Sequence, residues 1–375
     1  MSDTVVGLAS KRITTVLPSL LPLGGAERLA LNLIKEMLLA GYSADLVLFN
    51  DSGEVRAAVP AGCRVINLGA ARLVAGLVPL VRYLRSVRPD VVHVMMWPLT
   101  SYAVLARAIA RVETRLVVSD HSMLSRQYAS RGVLHSGVQR AIMRLTYRFA
   151  DVRVAVSGDV AADVARMSGL PEETFRVVHN AIDAKGGPEL PPSEADRLWR
   201  GRPGARILTV GRLKRVKNHD LLLRAFSATR SRIEGTLAIV GGGELYAETA
   251  NLVRAYGLEG SVIMPGQVDD PSNYYSSANV FVLTSDYEGF GNVLVEAMAF
   301  GLPIVSTNCA GGPREILAHG SFGRLVPVNS ADALADAIVA TVEQPHDPER
   351  QRARAASFET TVVAKQYLSL FFPDL

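Results

Sequence analysis

The chain has 375 residues, which is too many for one ordinary α/β core and about right for two domains of typical size. Hydrophobic residues make up 49% of it, charged residues 20% and aromatic residues 6%, a composition typical of globular rather than disordered proteins. Its two cysteines, Cys63 and Cys309, stand far apart without a metal-binding spacing. The sequence therefore argues against a disulfide framework or a structural zinc site, and both cysteines are expected to be apolar fillers in a reducing cytoplasm.

Targeting and membrane-spanning segments are not expected. The first ten residues, MSDTVVGLAS, carry neither a basic region nor a long apolar run. The most apolar stretches, such as 91–106, contain polar or charged residues within each window of about 18–20 residues, so we predict no transmembrane helix. We expect a cytoplasmic protein that can associate peripherally with the inner face of the cytoplasmic membrane.

The net charge of +4 is unevenly distributed along the chain. Residues 1–180 hold 21 basic and 14 acidic side chains, and fourteen arginines lie within 55–150, where only Asp90, Glu113 and Asp120 are acidic. This excess indicates a polyanionic partner, either anionic lipid or nucleic acid, and the alternative is a solvated basic face without a partner. Because no recognised nucleic-acid-binding motif is present, we predict no nucleic-acid partner and favour a membrane surface.

The first half alternates short β-rich runs with amphipathic stretches, as in a parallel sheet covered by helices. Apolar residues recur at helical spacing over 26–38, and Gly41 is the expected end of that helix. Strands are expected at 13–17, 45–49, 65–68, 91–95, 116–119 and 152–156. We predict a complete Rossmann-like domain over 1–185.

Residues 183–204 are rich in Pro and Gly and lack a periodic apolar face, so a linker is predicted over 186–204. A second Rossmann-like domain is predicted over 205–355. The stretch 331–371 is expected to be wholly helical, and its last part, 356–375, to pack back toward the N-terminal domain. Strands of the second domain are expected at 206–210, 237–240, 262–264, 280–283 and 304–306, with helices starting near Asn218, Glu244, Asn292 and Pro313.

The segment TSDYEGFGNVLVEAMAFG, at 284–301, carries the most informative chemistry. It follows an apolar strand and leads into a helix, and ligands of open α/β sheets bind beyond the carboxyl ends of strands. Gly289 and Gly291 let backbone N–H groups approach a bound group, and the helix start suits a phosphate. Glu288 and Glu296 can accept hydrogen bonds from sugar hydroxyls. The layout fits a sugar nucleotide, and the alternative is an ordinary loop with one capping and one exposed acid.

The spacing Glu288-x7-Glu296, with GFGN after the first Glu and EAMAFGLPIVST running from the second, resembles the signature of retaining glycosyltransferases of family 4. The resemblance covers essentially the whole chain, with Ala181 where many members have Gly. It implies the GT-B architecture, an α/β fold of two doubly wound, Rossmann-like domains facing each other across a cleft. The domain over 1–185 would then lie on the acceptor side, and the domain over 205–355 would bind the nucleotide sugar. Other matching segments are VSGDVAADVARMSGLPEETFRVVHNAID (156–183), TVGRLKRVKNHDLLLRAF (209–226), LAIVGGGELYAETANLVRAYGLEGSVIMPGQV (237–268) and GGPREIL (311–317).

The resemblance also implies a role for individual residues. Arg212 and Lys217 would neutralise the donor diphosphate, on which charge develops as the glycosidic bond breaks. Glu288 would contact and orient the donor sugar, and Glu296 would bind the ribose hydroxyls. The further donor contacts that it implies are Gly211, the backbone of Phe290, Gly291 and Asn292, and, beside the base, Gln267 and Val268.

Two features of the first half complete the predicted site. Gly24 and Gly25, in PLGGAERL, are similar to the family's glycine loop near the donor phosphate and the acceptor, although a simple tight turn would also explain them. His121, in VVSDHS, follows a strand, where a lone His is more often structural. The resemblance implies a place for His121 beside the reacting sugar, so the expected catalytic residues are Glu288, His121, Arg212 and Lys217.

Two other motifs do not support a different chemistry. The glycines at 241–243 do not form G-x-G-x-x-G and no acid follows at the right distance, which disfavours a dehydrogenase. Asp286 and Glu288 superficially resemble a metal-binding acidic pair, but Arg212 and Lys217 can balance the phosphates. We therefore expect neither a metal site nor a cofactor.

The resemblance predicts a metal-independent glycosyltransferase that moves a sugar, with retention, from a nucleotide sugar to a glycan or lipid-linked acceptor in cell-surface polysaccharide assembly. The donor nucleotide is expected to be UDP. A sugar-nucleotide epimerase of the same fold and a non-catalytic sugar-nucleotide-binding subunit remain as alternatives.

One helix of the basic half is a candidate for membrane contact. Arg140, Arg144 and Arg148, in GVQRAIMRLTYRF, are spaced four apart and would form one basic stripe. Part of this helix is expected to pack on the domain, because apolar residues spread over its remaining surface: Ile142, Leu145, Tyr147 and Phe149.

Overall fold

Two parallel β-sheets organise the chain, one in each of two units. The computed structural model describes residues 11–20, 24–51, 58–183, 186–188 and 190–374. The first unit comprises Met1–Asp183 and Glu359–Leu375, and the second comprises Ala184–Phe358. The ten amino-terminal residues, for which the sequence predicts no targeting segment, lie outside the described residues.

The first unit is built on a sheet of seven parallel strands. Its inner strands are apolar and buried over nearly their whole length, as expected of a sheet covered on both faces. The strands are β1 (Arg12–Leu17), β2 (Ser43–Leu48), β3 (Arg64–Asn67), β4 (Val91–Met95), β5 (Arg115–Asp120), β6 (Val152–Ala155) and β7 (Phe175–Val177). Their order is β3-β2-β1-β4-β5-β6-β7, so the direction of winding reverses between β1 and β4.

Helices connect these strands in the right order for a doubly wound fold. The first helix follows β1 and buries an apolar face that includes Leu29, Leu33 and Met37. The helices are α1 (Gly25–Leu39), α2 (Leu73–Val87), α3 (Leu99–Ala110), α4 (Leu124–Gln127), α5 (Gly132–Thr146) and α6 (Gly158–Ser168).

The fifth helix, α5, packs on its unit differently from the expectation. Tyr147, just beyond its end, is fully buried as predicted, whereas Ile142, Leu145 and Phe149 are exposed. Part of the helix packs on the unit, as predicted, although these three apolar residues lie outside the buried contact. The helix is held instead by the side chains of Gln139 and Met143, which repeat at a spacing of four and need only a narrow contact surface.

The second unit has a sheet of six parallel strands. The strands are β8 (Ala205–Val210), β9 (Gly235–Val240), β10 (Val262–Gly266), β11 (Val280–Leu283), β12 (Ile304–Thr307) and β13 (Arg324–Val326). Their order is β10-β9-β8-β11-β12-β13, so the winding reverses between β8 and β11. The helices are α7 (Pro192–Leu198), α8 (His219–Thr229), α9 (Tyr246–Ala255), α10 (Ser272–Ser277), α11 (Asn292–Ala299), α12 (Pro313–Ile316), α13 (Ala331–Glu343) and α14 (Pro348–Ala356).

The predicted linker at 186–204 differs in the structure, because all of it belongs to the second unit. It contains α7, which begins at Pro192, a residue whose fixed φ suits the first position of a helix. Trp199 follows the helix, is fully buried, and donates from its indole N–H to Ser277 Oγ at 2.9 Å. Its proline content suggested a linker, but this buried tryptophan anchors the segment to α10.

The carboxy-terminal stretch 331–371 is not one helix but three, because Pro345 and the segment 357–359 interrupt it. The last helix, α15 (Thr360–Phe371), belongs to the first unit and packs on α1. Its Tyr367 and Phe371 lie in the core of that unit, and the Phe372 ring stacks on Tyr42 at 5.1 Å.

Short strands and membrane spans complete the comparison with the sequence. The edge strands β7 and β13, of three residues each, were not predicted, since so short a run carries no periodicity. Among the described residues, no helix has the length and apolar character needed to cross a bilayer. Cys63 and Cys309 are free thiols, and Cys309 is buried.

Candidate active site

The second unit gathers most of the predicted site residues at the point where its sheet reverses direction. The loop after β8, residues 211–217, and the loop after β11, residues 284–291, leave adjacent parallel strands at the same edge of the sheet. In open α/β sheets this is where ligands bind, because the two loops diverge and leave a crevice.

Lys217 and Glu288 meet across these two loops. Lys217 Nζ lies 2.5 Å from Glu288 Oε1, and the two side chains are 19% and 13% exposed. Ser285 Oγ donates a second hydrogen bond to the same carboxylate oxygen at 2.6 Å. The carboxylate and the ammonium group are thus held in place before any ligand binds.

Further hydrogen bonds join the two loops around this pair. Thr284 Oγ1 donates to the Lys217 carbonyl at 2.7 Å, and the Asp286 N–H donates to the Val216 carbonyl at 2.8 Å. Asn218 Nδ2 donates to Asp286 Oδ1 at 2.8 Å. Asp286 therefore holds the two loops together.

Glycines allow the loops after β8 and β9 to pack backbone against backbone. A Cβ on Gly241, whose φ is +145°, would lie 2.0 Å from the Gly211 carbonyl oxygen. A Cβ on Gly243 would lie 2.6 Å from the Leu213 carbonyl oxygen. The Gly-rich turn that does not match a dinucleotide-binding fingerprint thus shapes the loop that carries Arg212.

A second glycine pair supports the loop that carries Glu288. A Cβ on Gly311 would lie 2.0 Å from the Glu288 carbonyl oxygen, and one on Gly312 would lie 2.3 Å from that of Phe290. The Glu288 N–H donates to the Ala310 carbonyl at 2.9 Å. The segment GGPREIL has no individual role in the predictions made from the sequence. The feature that could have indicated a close backbone contact is the pair of adjacent glycines that follows β12.

The helix α11 begins directly behind Glu288. Gly291 precedes its first residue with a φ of +104°, a conformation that favours glycine, and Phe290 is buried against the Phe358 ring at 5.5 Å. Asn292 is the first helical residue and is half-buried. The aligned peptide dipoles give the start of this helix a partial positive charge, which makes it suitable for an anion.

Glu296 lies in the second turn of α11, half-buried, and Tyr275 Oη donates to its Oε2 at 2.9 Å. Tyr275 is itself fixed by stacking on Phe300 at 5.4 Å. Nothing in the motif marks a residue of α10 as a neighbour of Glu296. Tyr275 is therefore not predicted from the sequence as the residue that orients this carboxylate.

The remaining second-unit candidates lie at the ends of neighbouring strands. Arg212 is exposed, and within the described part of the chain it has no ion-pair partner. Gln267 is exposed and Val268 half-buried, and the Gln267 side chain lies near Gly242. These residues extend the site from β11 toward β10.

In the first unit, Gly24 and Gly25 stand at the start of α1. Gly24 donates its N–H to Glu27 Oε2 at 3.0 Å and accepts from the Arg28 N–H at 3.1 Å. The fifteen-residue helix α1 follows the carboxyl end of β1. The winding of the first sheet reverses between β1 and its neighbour β4.

His121 follows β5, is half-buried, and forms a chain with the buried polar residues Ser119 and His93. Its Nε2 lies 3.0 Å from Ser119 Oγ, which in turn lies 3.0 Å from Nε2 of His93. Burial lowers the pKa of His121 to about 4 and, together with the proximity of His121, that of His93 to about 3. Both imidazoles are therefore neutral near pH 7, and one serine hydroxyl joins them.

Neither His93 nor Ser119 is predicted as a site residue from the sequence. The signal available was a single histidine inside the apolar strand VVHVM, and a serine two positions before His121. The contribution of α15 could not be foreseen, since Tyr367 and Phe371 place their rings 5.1 and 5.4 Å from the His93 ring across a long sequence separation.

Asp120 is a buried acid at the end of β5. Burial raises the pKa of Asp120 to about 7, and nearby Asp163 raises it further. Tyr147 Oη donates hydrogen bonds to both carboxylate oxygens, at 3.0 and 3.1 Å, and these bonds oppose the rise. The described residues contain no group of three or more His, Cys, Asp or Glu side chains suited to hold a metal ion.

Comparison with known proteins identifies the family. Residues 201–358 match the model of glycosyl transferases group 1, and residues 23–185 match that of glycosyltransferase family 4. The chain is 26% identical over 364 residues to the N-acetylgalactosamine-N,N'-diacetylbacillosaminyl-diphospho-undecaprenol 4-alpha-N-acetylgalactosaminyltransferase of Campylobacter jejuni, covering 92% of this chain and 95% of that protein. It is 29% identical over 301 residues to the amylovoran biosynthesis glycosyltransferase AmsD of Erwinia amylovora, covering 80% and 81%.

The fold is also that of solved glycosyltransferase structures. The structure of HepE from Anabaena in complex with UDP superimposes with a TM-score of 0.79 at 22% identity, covering 97% of this chain and 100% of that one. The two matched family models, the relatives and the two parallel-sheet units agree with the resemblance drawn from the Glu-x7-Glu segment. This chain is therefore a GT-B-fold glycosyltransferase of family 4, an enzyme of the transferase class.

Proposed function

We propose that the enzyme transfers a sugar from a UDP-sugar to a glycan or lipid-linked acceptor with retention of anomeric configuration. The observation that carries this proposal is the Lys217–Glu288 pair at the reversal point of the second sheet, beside the start of α11. A cation, a carboxylate and a helix start at one sheet edge suit a ligand with phosphates next to sugar hydroxyls.

The donor is assigned to the second unit. Arg212 and Lys217, with the N–H groups at the start of α11, bind the diphosphate. Glu288 and the backbone of Phe290, Gly291 and Asn292 contact the sugar and its neighbouring phosphate. Glu296, oriented by Tyr275, accepts the ribose hydroxyls, while Gly211, Gln267 and Val268 border the nucleotide.

The reaction that we assign proceeds on one face of the donor sugar. The bond between the anomeric carbon and the diphosphate oxygen breaks as the acceptor hydroxyl forms the new bond from the same side. The acceptor proton passes to a phosphate oxygen of the leaving UDP. Arg212 and Lys217 stabilise the negative charge that grows on the diphosphate, so their contribution is larger in the transition state than in the ground state.

The first unit is assigned to the acceptor side of the reaction, where Gly24 and Gly25 approach the donor phosphate and the acceptor, and His121 lies beside the reacting sugar. A neutral His121 can donate or accept one hydrogen bond at a sugar or acceptor hydroxyl without introducing a charge. The basic surface of this unit favours an acceptor at an anionic membrane surface and hence peripheral attachment on the cytoplasmic face.

The relatives support this choice of substrates. The Campylobacter jejuni protein is named for transfer of N-acetylgalactosamine to a diphospho-undecaprenol-linked sugar, and the Erwinia amylovora protein for amylovoran biosynthesis. The Anabaena structure was solved in complex with UDP. A polyprenyl-diphosphate-linked glycan of cell-surface polysaccharide assembly is therefore the acceptor class that we propose.

The proposal is tested with a panel of UDP- and GDP-sugars, with and without a polyprenyl-diphosphate-linked glycan, by following nucleoside diphosphate release. We expect release from a UDP-sugar that depends on acceptor, and a product whose anomeric proton coupling shows the donor configuration. Release without acceptor together with a free sugar that is an epimer of the donor sugar would indicate an epimerase. Nucleotide binding without any release would indicate a non-catalytic subunit, and inversion would contradict the mechanism.

We also propose that the enzyme needs no divalent metal or other cofactor. Lys217 and Arg212 supply the positive charge that a metal ion would otherwise supply, and Asp286 is engaged by Asn218 and the Val216 carbonyl. Activity should persist in excess EDTA. Complete loss in EDTA with recovery on addition of Mn²⁺ would contradict this part of the proposal.

A further inference from the structure

Trp97 lies where the first sheet reverses its winding, between β1 and β4. Gly24 and Gly25 follow β1 on one side of this point, and Trp97 follows β4 on the other. Met96, between the strand and Trp97, has a φ of +70°, a left-handed conformation that is uncommon for residues other than glycine. Trp97 therefore occupies the position at which a doubly wound unit holds a ligand.

Two further aromatic rings surround Trp97. The ring centroids of Trp97 and Tyr128 are 5.1 Å apart, and those of Trp97 and His135 are 6.3 Å apart. Tyr128 and His135 complete the triangle at 5.6 Å. All three residues are partly buried, so each ring keeps some contact with solvent. Tyr128 and His135 both follow β5, and His135 belongs to the first turn of α5.

Polar nitrogens of this group lack partners. Among the described residues, Trp97 Nε1, His135 Nε2 and Gln139 Nε2 are buried atoms without a hydrogen-bond partner. Gln139 is 1% exposed and lies one turn beyond His135 on α5. Helical side chains lean toward the amino terminus, so the amide of Gln139 is directed toward His135. Because buried polar groups are nearly always paired, three unpaired nitrogens in one place indicate groups that pair with a ligand.

We propose that Trp97, Tyr128, His135 and Gln139 form the subsite that binds a sugar ring of the acceptor. A sugar ring has an apolar face of C–H groups and a rim of hydroxyls. Aromatic rings cover the apolar face, and neutral nitrogens form hydrogen bonds with the hydroxyls. The inference rests on the proposed transfer to a glycan acceptor, and it adds the residues that recognise the acceptor's sugar.

A lipid chain or a phosphate suits these four residues less well. An acyl chain offers no partner for Trp97 Nε1 or the Gln139 amide, which would remain buried and unpaired. A phosphate needs cations directed at it, whereas the guanidinium of Arg131 lies over the Tyr128 ring, 5.0 Å from its centroid. Hydroxyls satisfy the nitrogens without requiring a charge.

Trp97 can report binding directly, because the chain has only two tryptophans and the other, Trp199, is fully buried in the second unit. Acrylamide, a neutral quencher, should therefore reach Trp97 and spare Trp199. The test is protection of tryptophan fluorescence from acrylamide by the methyl glycosides of glucose, galactose, N-acetylglucosamine and N-acetylgalactosamine, each titrated to about 100 mM. We expect at least one glycoside to protect the wild type, and Trp97→Phe to lose the protected component.

Gln139→Leu separates binding from packing. Leucine is close to glutamine in size and removes a buried polar group, so the thermal midpoint should stay equal or rise. The same variant should weaken glycoside binding at least about fivefold, because a hydrogen bond to a hydroxyl is lost. Tyr128→Leu removes one ring and should also weaken binding. A purely structural role of Gln139 would change the midpoint without changing glycoside affinity.

The matched control is Tyr256→Leu. Tyr256 is a partly buried tyrosine of the second unit that donates to Asp220 at 2.7 Å, and its loss should leave glycoside protection unchanged. UDP affinity should be the same in Gln139→Leu as in the wild type, and the transfer assay should show a higher KM for acceptor with an unchanged KM for donor. If the wild type releases no nucleotide from any sugar donor, the proposed function fails, while the glycoside titration still tests this subsite.

Three outcomes would overturn the inference. The first is a wild type in which no glycoside protects tryptophan fluorescence. The second is glycoside affinity that is unchanged in both Gln139→Leu and Tyr128→Leu. The third is protection that persists in Trp97→Phe, which would place the bound sugar near Trp199 instead.

Discussion

Lys217 Nζ and Glu288 Oε1 lie 2.5 Å apart although the two residues are 71 positions apart in the sequence. The ion pair joins the loops that follow β8 and β11, at the point where the second sheet reverses direction. Because Ser285 also donates to Glu288, the carboxylate keeps a partner when a phosphate attracts the lysine. The pair therefore fixes the position of both groups without requiring a ligand.

Removal of the two donor-site cations should affect activity and stability differently. Arg212→Ala and Lys217→Ala should each cost about 2–4 kcal/mol of transition-state stabilisation, measured as kcat/KM for transfer. Only Lys217→Ala should also lower the thermal midpoint, because it leaves the Glu288 carboxylate without its ion-pair partner. Arg212 is exposed and its loss should leave the midpoint unchanged.

Arg232→Gln provides the control for this pair of variants. Arg232 is an exposed cation of the same unit, bound to Asp336 on the surface, and its loss should change neither kcat/KM nor the midpoint measurably. Near-normal activity in both Arg212→Ala and Lys217→Ala would refute the assignment of the diphosphate to these residues.

The pH profile should reflect the buried state of His121. Because burial lowers its pKa to about 4, His121 is uncharged throughout the neutral range. The plot of kcat/KM against pH should therefore have no inflection near pH 6.5 that depends on His121. An inflection there in the wild type that is lost in His121→Ala would contradict this expectation. His93→Phe keeps an aromatic ring but removes the link through Ser119, so we expect lower kcat with unchanged KM for the donor.

His93→Gln is the conservative partner of that variant. A glutamine amide can still hydrogen-bond Ser119, so it should restore part of the kcat lost in His93→Phe. Equal kcat in the wild type and both variants would show that the His93–Ser119–His121 chain has no part in positioning His121.

Asp120 should make the stability of the first unit depend on pH. Its pKa is about 7 in the folded unit because of burial, against an ordinary value of 3.8, so the folded state holds a proton that the unfolded state releases. Its stabilising contribution is complete below pH 4 and is lost as the pH rises through about 7. Asp120→Asn should therefore raise the unfolding free energy at pH 8 by roughly 2–4 kcal/mol and change it little at pH 4.

Denaturant unfolding of the wild type and Asp120→Asn at pH 4 and pH 8 checks this expectation. Asn keeps an oxygen that can accept from Tyr147, so the hydrogen bond is retained while the titration is removed. A stabilisation of equal size at both pH values would show that the effect comes from packing and not from ionisation.

Much of the fold could be predicted because its determinants are local. The strands β4 and β11 match their predicted bounds, since each is a short apolar run between turn-forming residues. The start of α11 was predicted near Asn292, directly after a glycine. In the structure this glycine, Gly291, adopts the positive φ that favours glycine at this position. Such features depend on neighbouring residues, which the sequence shows directly.

What could not be predicted depends on contacts between distant parts of the chain. Trp199 turns a proline-rich segment into part of the second unit only because Tyr274 and Ser277 lie beside it. Tyr275 orients Glu296 from another helix, and Tyr367 buries His93 from the carboxy terminus. Ile142, Leu145 and Phe149 are exposed although they are apolar, so only the structure reveals which side of α5 faces the core.

The most direct test of the central claim is calorimetric titration of UDP into the wild type, Glu296→Gln, Lys217→Ala and the control Arg232→Gln, which requires neither the sugar nor the acceptor to be known. The claim is that the nucleotide diphosphate binds at the reversal point of the second sheet. We predict binding by the wild type and the control, and affinities at least about tenfold weaker in the other two variants. Equal UDP affinity in all four proteins, or tighter binding of GDP than of UDP by the wild type, would contradict the account.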